Sequence, residues 1–182
     1  MSCAVFDPSR SVHPPARISL PVIVACLCGL LLLTGGCATF HMPTPENFIK
    51  GKSSRANFRA LTSEEDRLFV QHFAVLEKQN IKFWASAVRN NLVEQRGYTL
   101  VEEGEFKTDR GLVGHRFLFE ISMGEVPYRY LLVVFASRSW LRQHIYTAEF
   151  LCEKKNFEKS APAVEKALKQ FQPRRGRLGE RK

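Results

Sequence analysis

With 182 residues, 45% of them apolar and 25% charged, the chain has ordinary globular composition, which argues against wholesale disorder and leaves room for one domain. The net charge of +9 is unevenly spread: five bases lie in the last ten residues, and residues 37–172 hold 20 basic against 16 acidic side chains, a net of only +4. No dense basic stripe with interleaved aromatics remains, so nucleic acid is not an expected partner.

Arg10 and Arg17 precede a 14-residue apolar stretch from Leu20 to Leu33, which runs into Thr34, Gly35, Gly36 and Cys37. A basic start, an apolar middle and small residues at the end make the three-part layout of an export signal. The stretch LLTGGC resembles the lipobox of bacterial lipoproteins. That resemblance implies cleavage between Gly36 and Cys37, a thioether-linked diacylglycerol on Cys37, and a membrane held as partner through that lipid. Two departures stand out: Thr34 occupies the place where the family prefers Leu, and the basic region is long. The competing reading is an uncleaved anchor, because the uncharged run from Ile18 to Phe40 is long enough to span a bilayer. Basic residues ahead of the apolar run place the rest of the chain outside the cytoplasm under either reading. Ala38 after the cysteine implies, by the same resemblance, the outer membrane of a double-membrane cell.

Residues 1–36 are thus expected as signal peptide and 37–56 as lipidated end and flexible linker, since Ala38 to Ala56 holds two prolines and no apolar periodicity. A hairpin is expected next, from Asn57 to Leu61 and Arg67 to Leu76 around the polar turn Thr62 to Asp66. Ile81, Trp84, Ala85, Val88 and Leu92 fall at helical spacing, with Asn80 to cap the start and Gly97 to end it. Strands are expected over Tyr98 to Lys107, Leu112 to Met123, Tyr128 to Ala136 and Trp140 to Cys152. Phe157, Ala161, Val164, Leu168 and Phe171 mark a closing helix. Short connections demand antiparallel neighbours. The expected fold is α+β: a twisted antiparallel sheet of about six strands in the order ββαββββα, with two helices packed on one face over residues 57–172, and a basic disordered tail at 173–182.

This order, the helix ending in Arg96-Gly97-Tyr98, the strand ending IYTAEF and the closing helix resemble the PsbP-like fold, which includes the extrinsic PsbP protein of photosystem II and DcrB-type lipoproteins. The resemblance implies an accessory or binding module and carries over no catalytic residue.

Candidate chemistry is sparse. Gly51-Lys52-Ser53 has the tail of a phosphate loop, but Glu46 stands where the first glycine belongs and no strand precedes it. The histidines His41, His72, His115 and His144 lack metal-ligand spacing, so no metal and no cofactor are expected; His72, His115 and His144 meeting a carboxylate on the sheet would revive a hydrolase. Once the leader is gone and Cys37 lipidated, Cys152 is the one cysteine left, so no internal disulfide is expected and Cys152 reads as a buried strand residue. Glu149 sits in an apolar strand, opposite in sense to Tyr146 and Phe150; if buried, it needs a partner such as Arg116 or Arg129. The tail bases Arg174, Arg175, Arg177, Arg181 and Lys182 read either as a solubilising end or as contacts to an anionic surface. The function expected is that of a non-enzymatic envelope lipoprotein serving an envelope protein partner, with a carrier or sensor of a small apolar ligand as the alternative.

Overall fold

The computed structural model describes residues 39–54, 57–76, 79–138 and 142–174. The strands are β1 (Phe40–His41), β2 (Ile49–Lys50), β3 (Asn57–Leu61), β4 (Arg67–Val75), β5 (Thr99–Lys107), β6 (Val113–Met123), β7 (Val126–Arg138), β8 (Gln143–Glu153) and β9 (Gln172–Pro173). The α-helices are α1 (Ile81–Asn90), continued by a π turn over Asn91–Gln95, and α2 (Phe157–Lys169).

The ends of α1 are set as local chemistry predicts. Asn80 accepts a hydrogen bond on its side-chain oxygen from the Lys82 N–H at 3.1 Å. Gly97 takes φ +68°, a conformation that favours glycine, and its N–H and that of Tyr98 donate to the carbonyls of Val93 and Leu92.

Seven strands make one sheet in the order β2-β3-β4-β8-β7-β6-β5, and every neighbouring pair is antiparallel. The α+β class and the antiparallel sheet agree with expectation; the strand count exceeds the expected six because β2 adds an edge next to β3. Chain order breaks once. After β4, in the middle of the sheet, α1 carries the chain to the far edge at β5, from which three hairpin steps bring β8 back beside β4.

The helices do not share a face, contrary to expectation. Along β7, Leu131, Val133 and Phe135 join the cluster under α2, while Leu132 and Val134 join the cluster under α1. Successive strand residues point to opposite sides, so one helix covers each face. All five side chains are at most 1% exposed, and each stabilises the fold by about 1.5–3 kcal/mol.

The expected linker differs most. Phe40, Met42 and Phe48 are buried in the α2-side core, and β1 pairs with β9 through Phe40–Pro173 and His41–Gln172. The Phe40 ring lies 5.5 Å from Phe171 and 6.0 Å from Tyr146. Three large apolar side chains within ten residues give this stretch enough buried surface to offset the entropy of ordering it, although it lacks periodicity. β9 likewise begins the segment expected as a free tail.

Candidate interaction surface

Helix α1 packs on β6 and β7 and closes a cluster containing Phe117, Phe119, Leu132, Val134 and Ile145. On the β2-β3-β4 side of that face only Val75, at the end of β4, packs against this cluster. There the register aligns Ile49 with Leu61, Leu61 with Arg67, and Arg59 with Phe69. Ile49 is 74% exposed, Phe73 48% and Leu61 45%. Arg59 lies over the Phe69 ring at 4.8 Å. Among the described residues no element covers this strip.

Glu149 borders the strip. It sits on the α1 side, aligned with Phe69 on β4 and Leu132 on β7. Its partners are not the arginines anticipated. The Tyr130 hydroxyl hydrogen-bonds it, and burial together with this carboxylate raises the phenol far above its ordinary range; Thr147 Oγ1 donates at 3.5 Å. Arg116 instead bridges Glu102 and Glu165 at 2.8 and 3.3 Å, and Arg129 pairs with Glu120 at 3.3 Å. Glu149 is therefore a satisfied strand acid, opposite in sense to the buried Tyr146 and Phe150, as alternation requires.

The histidines divide between the faces. His72 Nε2 and His144 Nδ1 lie 2.9 Å apart, one donating and one accepting, and the His72 ring stacks 4.9 Å from Tyr146 on the α2 side. His115 is on the other face, stacked 6.4 Å from Phe117, in an open cleft of about 390 Å³ that Lys82, Arg89, Glu103 and Glu105 rim. Among the described residues no three His, Cys, Asp or Glu side chains are placed to hold a metal ion. Cys152 is buried in the α2-side core, and burial first, then the nearby Asp66 carboxylate, push its thiol up to about 12. A thiol held so high is protonated and unreactive at neutral pH.

Gly51-Lys52-Ser53 forms the turn into β3: Ser53 Oγ donates to the Gly51 carbonyl and accepts from the Arg59 N–H, each at 3.1 Å. Of the predicted surface bases, Arg174 is exposed, and its backbone N–H donates to the Thr39 carbonyl at 3.0 Å. Gly36, Cys37, Arg175, Arg177, Arg181 and Lys182 lie outside the described residues. The open strip was missed in the sequence, although a signal existed: Arg67 to Leu76 carries apolar residues on both faces, and one short helix is too little to cover a face of seven strands.

No family model and no curated protein matches this sequence. Solved structures do. The chain is similar to the crystal structure of LpqN, involved in cell envelope biogenesis of Mycobacterium tuberculosis, at 10% identity and a TM-score of 0.61, over 76% of this chain and 86% of that one. It is similar to PA94 of Pseudomonas aeruginosa, a protein of unknown function, at 13% identity and a TM-score of 0.50, over 74% and 87%. The solution structure of cyanobacterial PsbP from Synechocystis sp. PCC 6803 aligns at 10% identity and a TM-score of 0.49, over 78% and 96%. At such identities the likeness to LpqN and PA94 is one of fold, shared over most of each chain.

Proposed function

We propose that the chain is a non-catalytic envelope lipoprotein, anchored through diacylglycerol on Cys37, whose PsbP-like domain docks an envelope protein on the open β2-β3-β4 strip. The observation that carries this reading is the strip of exposed Ile49, Leu61 and Phe73 beside half-buried Phe69. Exposed apolar residues grouped on one face mark an interaction site. Arg59 and Arg67 stand on the same strip, so the fitting partner presents an apolar segment flanked by acids. A ligand carrier is less well supported, because the clefts beside α1 and beside α2 among the described residues are open and rimmed by charged side chains rather than enclosed and apolar.

The fold shared with LpqN, whose description is envelope biogenesis, is in keeping with this placement. No helix among the described residues is long and apolar enough to cross a membrane. The hydrogen bond between Thr39 and Arg174 adds a point about orientation. Thr39, two residues after Cys37 in the sequence, lies beside Arg174, which supports contact of the tail bases with an anionic surface, where each base contributes about 1 kcal/mol.

Photoreactive residues placed singly at Leu61 and Phe73 in the membrane-anchored protein test the docking face, with exposed Glu158 on α2 as the control position. Adducts to one protein at 61 and 73, competed by Arg59→Glu and absent at 158, are expected. Equal labelling at all three positions overturns the proposal.

A further inference from the structure

The two faces of β3 and β4 are covered unequally. On the α2 side, Phe58, Ala60 and Leu68 share a buried cluster with Phe157, Ala161 and Val164 of that helix. On the α1 side the same strands present Leu61 and Phe73, 45% and 48% exposed, with Arg59 over the half-buried Phe69. Helix α1, packed on β6 and β7, lies beside this strip. Its Lys82, Ser86 and Arg89 line the cleft toward β5 and β6. At about 100° per residue, half-buried Trp84 and exposed Asn91 fall on the opposite flank of α1, which faces β8 and β4.

We infer that the strip receives one amphipathic α-helix of the partner protein, laid along β4 beside α1, with its apolar side on Leu61 and Phe73 and its acids over Arg59 and Arg67. The inference rests on the docking reading above and specifies the form of what docks. The strip is a sheet face, which offers side chains and no backbone hydrogen bonds. An extended segment lying there would leave its own N–H and C=O groups unpaired over apolar residues, whereas a helix has already satisfied them internally. Strand addition would need a free edge, and the edge strand β2 is only two residues long. The width also fits, since β2 to β4 spans two strand spacings, about 10 Å, the diameter of one helix. The charges set its flank: Arg59 has no ion pair among the described residues, and Arg67 reaches only the exposed Glu65, at 3.7 Å.

The test reads where a partner is labelled. Photoreactive residues are placed singly at Leu61 and Phe73 of the full-length, membrane-anchored protein in its native envelope, and the attachment residues are located by mass spectrometry of the digested adducts. From Arg67, aligned with Leu61, to Phe73 is about 20 Å along β4. A helix crosses that distance in about 13 residues and an extended segment in about six. Attachment from 61 and from 73 about 13 residues apart in one segment, each recurring three or four residues along, is expected. Sites about six residues apart, recurring at every second residue, or sites in two separate segments, would overturn the helix and leave the docking face standing. The absence of any adduct at either position would remove both. Arg59→Glu combined with Arg67→Glu should lower the yield of both adducts at least tenfold, and an unchanged yield would overturn the inference through its acidic flank.

Discussion

The backbone N–H of Arg174 donates to the carbonyl of Thr39 at 3.0 Å, closing a two-stranded ribbon that ties the entry of the domain to its exit. The ribbon is held from beneath, since Phe40 lies against Phe171, and Phe171 stacks 5.0 Å from Phe135 in the central strand β7. The segment that begins at Thr39 is therefore part of the folded domain, with Phe40, Met42 and Phe48 in its core, and not a free linker.

Phe40→Ala should accordingly behave as a core deletion. It removes a ring 7% exposed, and a loss of about 3 kcal/mol is expected. Met123→Ala, at a side chain 48% exposed, should change stability by less than about 0.5 kcal/mol. Urea unfolding of both variants decides it; indifference to Phe40→Ala would mean that the ribbon does not persist in solution.

Two glycines should respond oppositely to alanine. At Gly114 an added Cβ would sit 2.6 Å from both Phe135 Cδ1 and the Val134 carbonyl oxygen. Backbone of the central strand cannot give way, so Gly114→Ala should cost about 1–3 kcal/mol. At Gly104 nothing lies within 4 Å, and Gly104→Ala should be neutral or gain up to about 1 kcal/mol through lost freedom of the unfolded chain. Thermal melts of the pair provide the comparison.

The His72–His144 contact should make stability fall in acid. Burial first, and His144 second, hold the His72 imidazole below its ordinary value of 6.5. A base depressed in the folded protein binds its proton more readily when unfolded. Its contribution is thus complete above about pH 6.5 and is lost as the pH falls from there through the folded value. His72→Phe should flatten the difference in unfolding midpoint between about pH 7.5 and pH 5 relative to wild type. An unchanged difference would assign the acid sensitivity to other groups.

Cys37→Ser should block processing if the chain is a lipoprotein. A serine hydroxyl does not accept the diacylglycerol, so the variant should keep residues 1–36 and run as a heavier precursor, whereas the wild-type protein should begin at a lipid-modified Cys37. Intact-mass measurement on membrane-extracted protein separates the outcomes. A mature end at another residue would favour the uncleaved anchor.

Much of the fold follows from short-range chemistry alone. The boundaries of α1 are fixed by Asn80 and Gly97, the hairpins by their turns, and the buried side of α2 by Phe157, Ala161, Val164 and Leu168. Strand alternation also placed Glu149 opposite Phe150 before any partner was known. Period-two spacing, however, says that a strand has two faces and not which helix lies on each. The unbroken run Leu131 to Phe135 held the sign of a sheet covered on both sides, as buried strands do. Only tertiary structure decided that α1 and α2 take opposite faces, that α1 leaves the β2-β3-β4 strip bare, that Phe40 returns to Phe171 across the whole domain, and that a turn residue, Asp66, is buried under Ser160. These are pairings between residues far apart in the chain, set by how the whole surface is buried rather than by any local preference, so no window of the sequence holds them.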